Sequence, residues 1–402
     1  MMDKNFILLG FVMFLTMTGY GIVLPALPYL ADQLHLTSFQ MGSLITGWAV
    51  AQFISTPFWG RMVDRLGRKP LLLFGLFGFG VAFFSLLFAK SYIQLLLARM
   101  IGAFLSSGTQ PAVFALVADA TDLENRGSAM ARMGALNGLG FLCGPAVGGL
   151  FSPLGVQAPF VAAGLLAWLT LPFVWLMLRE PPRQVALAAG GTSSLWRSMM
   201  MVFYPGYRLM FGIILGISVA ASSLFGMLGY LLIERFQASL METGLSFSVL
   251  SGVSVAVQFF LMDVMYRHVR EEKIALSGLF LNVAGYLLIA CSTGVWMAVL
   301  GCGFIGVGEA MIRPTIISFL SKHTVMGQGT TMGLQQAADS LGRIVGPLFG
   351  GWVFTFLISG PFWISSLICL LLFFLLLQAG PLKSMVPARQ PRLHDAGTEV
   401  NR

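Results

Sequence analysis

The stretch Gly60–Pro70, with the sequence GRMVDRLGRKP, is the densest charge cluster in this chain. Its charged side chains are Arg61, Asp64, Arg65, Arg68 and Lys69. Nearly uncharged apolar runs flank it on both sides, over residues 41–59 and 71–89. A short basic loop between two such runs is typical of a cytoplasmic turn between transmembrane helices.

The composition of the whole chain also indicates a membrane protein. Hydrophobic residues make up 57% of the 402 residues and charged residues only 10%, whereas a soluble domain averages about 25% charged residues. A spanning helix needs about 20 mostly apolar residues. We therefore predict an all-α polytopic membrane protein with twelve transmembrane helices, over residues 6–30, 39–60, 70–89, 92–118, 127–152, 157–178, 207–233, 241–265, 273–291, 295–320, 328–356 and 361–379.

A hydrophilic stretch divides the chain near its middle. It contains Pro181, Pro182 and the run Gly190-Gly-Thr-Ser-Ser194, which is the composition of a linker. We predict two pseudo-symmetric six-helix bundles, at 1–178 and 207–380. A cytoplasmic linker over 179–206 joins them, and a cytoplasmic tail follows over 381–402.

The distribution of lysine and arginine predicts the orientation. With the N-terminus inside, the inner segments hold 19 of the 24 basic residues and the outer loops hold two. Basic residues concentrate on the cytoplasmic side of membrane proteins. Both termini are therefore predicted to be cytoplasmic, in a cell inner (plasma) membrane. The same clustering in short loops argues against nucleic acid as the reason for the net charge of +8.

The two halves are sequence repeats. Leu139-Gly140-x-x-x-Gly144-Pro145-x-x-Gly148-Gly149 in the fifth predicted helix matches Leu341-Gly342-x-x-x-Gly346-Pro347-x-x-Gly350-Gly351 in the eleventh, at an offset of 202 residues. Pro111 and Thr121 recur as Pro314 and Thr324 at an offset of 203. Two parallel six-helix repeats are a transporter architecture, with the substrate site between the halves near the membrane midplane.

Four motifs carry a resemblance to a known family. They are Gly21-x-x-x-Pro25-x-x-Pro28 in the first predicted helix, Gly60-x-x-x-Asp64-Arg65-x-Gly67-Arg68-Lys69 after the second, Arg99-x-x-Gly102 in the fourth, and Gly140-x-x-x-Gly144-Pro145-x-x-Gly148-Gly149 in the fifth. With these motifs in order, residues 5–380 resemble a major facilitator superfamily transporter of the twelve-helix drug:proton antiporter branch. The fifth-helix motif resembles exporters rather than importers.

The resemblance implies roles for two of the motifs. The loop motif implies a conformational latch between charged groups at the inner end of the bundle, formed by Gly60, Asp64, Arg65, Gly67, Arg68, Asp119 and Arg126. For Arg61 and Lys69 we prefer the simpler role of a topological anchor. The motif Gly140, Gly144, Pro145, Gly148 and Gly149 indicates close helix packing, or, as the resemblance implies, bending or sealing against proton leak.

Ionisable groups within apolar helices are the strongest pointers to function, because each costs at least ~2.5 kcal/mol at a helix centre and faces a cavity or a partner. Glu309 with Arg313, and Asp339 with Arg343, are spaced i,i+4 and share a helix face. A purely structural ion pair is the alternative role for each. We predict Glu309, with Asp339, as the proton-coupling acid, modulated by Arg99, Arg313 and Arg343.

Polar and aromatic residues on the helices that line the cavity by resemblance are substrate-binding candidates. They are Tyr20, Ser106, Gln110, Asn137, Ser222, Phe225 and Tyr230, together with Glu309 and Arg313. The 34 phenylalanines and 23 methionines suit amphipathic ligands. No nucleotide-binding loop, catalytic triad or cysteine spacing for metal is evident, so neither a cofactor nor a metal is expected.

The predicted function is a proton-coupled secondary active exporter, an antiporter of amphipathic drug-like small molecules, and not an enzyme. Its partners are the substrate, protons and the lipid bilayer, and it is expected to be a monomer. A first alternative is an exporter of an anionic metabolite or metallophore, because three arginines within helices exceed two acids. A lipid flippase or a transport-dead receptor is the alternative of another class.

Overall fold

The computed structural model describes residues 4–121, 123–178, 205–322 and 328–378. None of these residues forms a β-strand. The helices are α1 (Lys4–Gln33), α2 (Ser38–Leu66), α3 (Arg68–Leu87), α4 (Tyr92–Ser106), α5 (Thr109–Asp119), α6 (Leu123–Leu150), α7 (Ala158–Met177), α8 (Pro205–Phe236), α9 (Leu240–Ala256), α10 (Met262–His268), α11 (Glu271–Ala290), α12 (Val295–Lys322), α13 (Gln328–Phe354) and α14 (Gly360–Gln378).

Each predicted transmembrane segment coincides with one helix or with two consecutive helices, which confirms the predicted fold class. The fourth segment comprises α4 and α5, and the eighth comprises α9, a π-helical turn over Val257–Leu261, and α10. Nine spans in the described parts of the chain are long and apolar enough to cross a membrane. The remaining three, α2, α6 and α13, have 27–29 residues but are richer in polar side chains. The predicted linker and tail lie outside the described residues, apart from the start of α8.

The basic loop Gly60–Pro70 is much shorter than its charge pattern predicts. α2 continues to Leu66 and α3 begins at Arg68, so Gly67 alone separates two helices. Gly67 has φ 105° and ψ 156°, a backbone conformation that only glycine adopts without strain. The motif therefore consists of two helix ends that meet at Gly67, and not of a flexible loop.

The fourth predicted segment is broken between Ser106 and Thr109, where a single helix was expected. The Ser106 hydroxyl donates to the Gly102 carbonyl oxygen at 2.8 Å, and the Ser107 hydroxyl donates to that of Phe104 at 3.1 Å. Serine hydroxyls that bond to the preceding turn bend helices. The Ser55 and Ser107 hydroxyls also bond to each other at 2.6 Å, which ties the break to α2.

One hydrophobic core joins the two halves at one end of the bundle. We call this the outer end; it carries the connections around His35, Gly155 and Gln237, in line with the orientation predicted from the basic residues. One core runs through both halves near the outer end and includes Leu27 and Leu231. Toward the inner end, one core lies within the first half and another within the second.

Hydrogen bonds across the outer end connect the same two halves. Each has its donor and its acceptor on opposite halves: the Tyr29 hydroxyl to the Ala238 carbonyl oxygen (2.6 Å), the Tyr230 hydroxyl to that of Leu36 (3.0 Å), the Ser38 hydroxyl to that of Gly351 (3.2 Å) and the Thr46 hydroxyl to that of Ile344 (2.8 Å). The outer end is thus closed by polar as well as apolar contacts.

Glycines allow the backbones to touch along this closed end. A Cβ atom on Gly244 of α9 would lie 3.0 Å from the Pro145 carbonyl oxygen of α6. A Cβ on Gly42 of α2 would lie 2.9 Å from the Pro347 carbonyl carbon of α13. Gly42 and Gly244 are 202 residues apart, which is the repeat offset. We name these two pseudo-symmetric contacts, α2 with α13 and α6 with α9, the outer seam.

Lys69 caps the inner end of α7. Its ammonium group donates to the carbonyl oxygens of Trp175 at 2.8 Å and Leu178 at 2.7 Å. The last carbonyls of a helix have no partner within the helix, and a cation there also interacts favourably with the helix dipole. Lys69 therefore has a structural contact in addition to the anchoring role that the sequence suggested.

We expect Lys69→Met to destabilise the purified protein by about 1 kcal/mol, because the two charge-assisted hydrogen bonds are lost while the aliphatic stem remains. The measurement is the midpoint of thermal unfolding in detergent. Lys90→Met, at an exposed outer position, is the matched control. Equal unfolding midpoints for the two variants would contradict the capping role.

Candidate functional site

Two arginines and two carboxylates form an ion cluster in the second half. Arg313 Nη1 on α12 donates to Asp339 Oδ1 on α13 at 2.5 Å. Arg313 Nε lies 3.5 Å from Glu309 Oε2, and Arg343 Nη2 lies 3.6 Å from Asp339 Oδ2. Arg313 is therefore shared between two carboxylates, and Asp339 is shared between two arginines.

The positions of these residues along their helices place the cluster near mid-membrane. Glu309 lies at the middle of α12, and Asp339 and Arg343 bracket the middle of α13. The carboxylates are nearly enclosed, with 15% of the Glu309 side chain and 12% of the Asp339 side chain exposed. The arginines are more open, at 33% for Arg313 and 49% for Arg343. Charged groups at this depth face a water-accessible cavity rather than lipid.

Serines on α8 complete the cluster from a third helix. The Ser218 hydroxyl donates to Asp339 Oδ1 at 2.5 Å, and Arg313 Nη2 lies 3.5 Å from the Ser218 oxygen. The Ser222 hydroxyl donates to the Gly342 carbonyl oxygen at 2.8 Å. α8 can approach α13 this closely because Gly342 faces Ser218 and has no side chain.

A fourth helix reaches Glu309 from behind α12. Asn282 on α11 is fully buried, and its Nδ2 lies 3.5 Å from Glu309 Oε1. Sequence reasoning did not identify Asn282. Its signal was present, because an amide in the middle of an otherwise apolar helix is as unusual as an ionisable group.

Arg99, which we grouped with these residues, lies in the other half. It is buried on α4, with its guanidinium carbon 4.6 Å from the centre of the Trp48 ring, a cation–π distance. The Tyr20 hydroxyl is also within reach of it. No ion pair of Arg99 with an acidic side chain is found in the described part of the chain. Arg99 and the ion cluster are therefore separate polar centres.

An aromatic ladder crosses from the first half to the second beneath the outer seam. Consecutive ring centroids are 5.7–6.4 Å apart. In order, the rings belong to Phe83, Phe79, Trp48, Tyr20, Phe141, Phe225 and Phe247. Tyr20, Phe141 and Phe225 are half-buried, which leaves part of each ring open to a ligand between the halves.

The other substrate-binding candidates fall into two groups. Gln110 and Asn137 are half-buried, and Asn137 Oδ1 has no hydrogen-bond partner among the described residues. Ser106, Ser222 and Tyr230 are buried, and each donates its hydroxyl proton to a carbonyl oxygen. Tyr230 lies in the closed outer end. These three hydroxyls are engaged in packing in this conformation.

The latch residues are described only in part. Arg68 Nε lies 2.9 Å from Asp119 Oδ2, and about a tenth of each side chain is exposed. The atoms are paired as ions rather than aligned for a hydrogen bond. The side chains of Asp64, Arg65 and Arg126, and Gly60, lie outside the described residues. Arg68 and Asp119 belong to the same half, and their ion pair is present in this conformation, in which the outer end is closed.

The glycine motif of α6 has two packing faces. Gly140, Gly144 and Gly148 lie against the backbone of α1, where a Cβ on Gly148 would be 2.7 Å from the Ile22 carbonyl oxygen. Gly149 faces Gly244 of the other half, and Pro145 supplies the carbonyl at the outer seam. The motif in α13 repeats this arrangement, with Gly342, Gly346 and Gly350 against α8 and Gly351 against Ser38.

An apolar cavity of about 470 Å³ lies apart from all these residues. It opens on the flank of the second half, between α9, α11 and α12, and is lined by side chains such as Val253, Leu281 and Phe304. None of the predicted site residues lines it, and it has no charged wall.

Comparison with known proteins identifies the family. The model of the Major Facilitator Superfamily matches residues 9–327 and 267–398. The chain therefore belongs to the Major Facilitator Superfamily, and it is a multi-pass membrane transporter by fold and family.

Similar curated proteins come from bacteria. The chain is 28% identical over 356 residues to Multidrug resistance protein 1 of Bacillus subtilis, covering 88% of this chain and 90% of that protein. It is 27% identical over 371 residues to Quinolone resistance protein NorA of Staphylococcus aureus, covering 90% and 93%. A solved structure of a bacterial homologue of the human lysosomal transporter Spinster, inward-facing and occupied, aligns with a TM-score of 0.75 at 14% identity, over 96% of this chain and all of that one.

Proposed function

We propose that this protein exports amphipathic drug-like molecules across a bacterial plasma membrane in exchange for protons. The names of the relatives, a multidrug resistance protein and a quinolone resistance protein, support the cargo. The ion cluster around Arg313 carries the proposal of proton coupling. Ionisable groups at mid-membrane depth mark ion pathways and proton relays in transporters.

The cluster offers a proton switch because one guanidinium serves two carboxylates. Arg313 lies 2.5 Å from Asp339 and 3.5 Å from Glu309. Asp339 is also held by Arg343 and Ser218, whereas Glu309 has Asn282 as its other polar neighbour. We assign the exchangeable proton to Glu309, the less tightly held carboxylate. When Glu309 is protonated, Arg313 keeps its ion pair with Asp339 and loses the one with Glu309. Deprotonation of Glu309 restores that second ion pair.

Alternating access supplies the transport step. Because the outer seam is closed and the two halves have separate inner cores, we infer that this conformation is the inward-facing state. A substrate would enter between the halves and contact the open parts of Tyr20, Phe141 and Phe225. Opening of the seam would then expose it to the outside. Arg99, at the first-half end of this region, is proposed to tune the charge there. The Gly60–Arg68 motif, with Asp119 and Arg126, is proposed to act as the inner latch in the opposite state, by contacting the inner helix ends of the second half.

The direct test is Glu309→Gln in proteoliposomes with an imposed pH gradient, using ethidium as the transported probe. We expect wild-type protein to couple ethidium movement to proton flux, measured with a trapped pH dye, and the variant to lose coupling at least ten-fold. Equilibration of ethidium without a gradient should persist, because the cavity keeps its shape. Glu272→Gln, at the inner start of α11, is the control carboxylate. Coupled transport by Glu309→Gln at the wild-type rate would remove Glu309 as the proton carrier.

An organic anion is the second candidate cargo. Arg99 is buried without an acidic partner among the described residues, and Arg343 is half-exposed beside the cluster. This leaves the mid-membrane region with an excess of positive charge. A comparison of ethidium with a lipophilic carboxylate in the same proteoliposomes separates the two cargoes, since only the transported class accelerates proton flux.

A further inference from the structure

Two polar side chains on the buried face of α11 each have one polar atom without a hydrogen-bond partner in the described parts of the chain. Asn282 and Tyr286 are both fully buried. Asn282 Oδ1 and the Tyr286 hydroxyl make no hydrogen bond within the described residues. They are spaced i,i+4, so they lie one above the other on the same helix face. An unsatisfied buried polar group costs about 1–3 kcal/mol, which calls for an explanation.

Their surroundings are more polar than the rest of the second half. Asn282 contacts Glu309 through its Nδ2, and the Cys369 thiol of α14 lies beside it. The thiols of Cys302 and Cys369 and the Glu309 carboxylate are the polar groups nearest to the buried Tyr286 hydroxyl in this region. These groups come from three helices, and Asn282 approaches Oε1 of Glu309 whereas Arg313 approaches Oε2.

Glycines make room for this site between α11 and α12. A Cβ on Gly308 would collide with the Asn282 amide, and a Cβ on Gly285 would lie 2.8 Å from the Gly301 carbonyl oxygen. The two backbones touch at these points while the Asn282 side chain occupies the space over Gly308. A side chain on Gly308 would therefore displace the Asn282 amide from its place beside Glu309.

The first half lacks this polar line. At an offset of 203 residues, which also relates the contact of Gly75 with Thr109 to that of Gly278 with Ile312, the positions of Asn282 and Tyr286 correspond to Phe79 and Phe83. Both phenylalanines are buried, and they pack against each other with ring centroids 5.7 Å apart. An apolar pair is therefore sufficient for the fold at this place. The amide of Asn282 and the hydroxyl of Tyr286 therefore indicate a function in the second half that the first half lacks.

We propose that Asn282 and Tyr286 hold internal water that relays protons between Glu309 and the outer half of the second bundle. This inference rests on the proposed function of Glu309. A buried water needs two to four polar partners, and Asn282 Oδ1, the Tyr286 hydroxyl and the Glu309 carboxylate supply them. Tyr286 lies one turn closer to the outer end of α11 than Asn282. The path thus runs behind α12 and is separate from the space between the halves.

The relay acts among several other ionisable groups. Arg313, Asp339 and Arg343 face Glu309 from α12 and α13, and Cys302 and Cys369 flank Tyr286 from α12 and α14. The arginines balance the carboxylates. The thiols add polar, polarisable walls to the site. In this arrangement Asn282 and Tyr286 are positioning residues, since they carry no charge and act through water on Glu309.

The test compares Tyr286→Phe and Asn282→Leu in proteoliposomes loaded with a trapped pH dye, with ethidium as probe. Tyr286→Phe is the conservative variant, because it removes only the hydroxyl and matches Phe83 of the first half. We expect both variants to lower gradient-driven proton flux about ten-fold while gradient-free ethidium exchange stays within two-fold of wild type. Ser366→Ala is the matched control, since this buried hydroxyl already donates to the Val283 carbonyl oxygen at 3.2 Å.

The outcomes separate this inference from the proposed function. Gradient-driven flux at the wild-type rate in Tyr286→Phe and Asn282→Leu overturns the relay while leaving Glu309 as the carrier. Absence of proton-coupled ethidium transport in the wild-type protein overturns the proposed function itself. An equal loss of exchange and proton flux in both variants indicates a packing role only and also overturns the relay.

Discussion

Asp339→Asn is expected to lower gradient-driven transport at least ten-fold and to destabilise the protein by about 1–3 kcal/mol. Asp339 accepts from Arg313 and Ser218 at 2.5 Å and lies 3.6 Å from Arg343. In the variant, the neutral amide at position 339 carries no charge, so Glu309 is the remaining carboxylate of the cluster for both Arg313 and Arg343. Removal of one partner from a buried ion pair costs more than removal of the pair, because an uncompensated charge remains. The exposure of both arginines to the cavity moderates this cost.

The double variant Asp339→Asn with Arg343→Gln provides the matched comparison. It restores the balance of one arginine and one acid, and we expect it to recover part of the lost unfolding midpoint without recovering transport. Thermal unfolding in detergent and pH-gradient-driven ethidium movement are the two measurements. An unfolding midpoint and a transport rate for Asp339→Asn within error of wild type would show that Asp339 contributes neither to stability nor to coupled transport.

Gly42→Val is expected to abolish transport by holding the outer seam open. The added side chain would meet the Pro347 carbonyl group, whose carbon lies 2.9 Å from the position of a Cβ on Gly42. Backbone cannot yield as a flexible side chain can, so the seam has to separate. The variant should therefore fold, since Gly42 contacts the other half, and should favour an outward-facing state.

The distance between the outer loops tests this expectation. Spin labels at Lys90 and Thr293, both exposed on opposite halves, report the separation in a cysteine-free background. We expect the distance distribution to shift to longer values in Gly42→Val, with transport at least ten-fold slower. Gly212→Ala on α8 is the control, because a Cβ there meets nothing within 4 Å. An unchanged distance together with normal transport would contradict a closed seam at Gly42.

The sequence identified the charged residues of the candidate site but not their main contact. The i,i+4 spacing predicted the pairs of Glu309 with Arg313 and of Asp339 with Arg343, which lie at 3.5 Å and 3.6 Å. The shorter contact, from Arg313 to Asp339 at 2.5 Å, joins two helices. Their relative rotation and depth depend on tertiary packing through Gly342, which periodicity within one helix does not encode.

The sequence predicted the repeat, but it did not predict that the repeated glycines form the contacts between the two halves at the outer seam. The 202-residue offset aligned Gly149 with Gly351 and predicted equivalent packing in the two halves. In the structure each of these glycines faces the opposite half, near Gly244 and Ser38 respectively. A pairwise offset relates positions within the repeats but gives no information on which half a helix face contacts.

Local chemistry explains the differences in helix boundaries. Hydropathy alone merged α4 and α5, since the side-chain hydrogen bonds of Ser106 and Ser107 that bend the chain leave no apolar gap. Charge alone suggested a loop at Gly60–Pro70, where the helices continue to either side of Gly67. Both errors arise because composition indicates whether a segment lies in lipid or in water, but does not indicate where its helix bends or ends.

The aromatic ladder has a consequence for selectivity. Phe141 of one half and Phe225 of the other meet edge to face, with centroids 5.7 Å apart. A flat ligand that inserts between them would replace one ring–ring contact with two ligand–ring contacts, each worth about 0.5–1.5 kcal/mol, so insertion gains about one such contact whatever the pattern of ligand substituents. Such a site would select ligands by their thickness and planarity. Recognition would not require a matching set of hydrogen bonds.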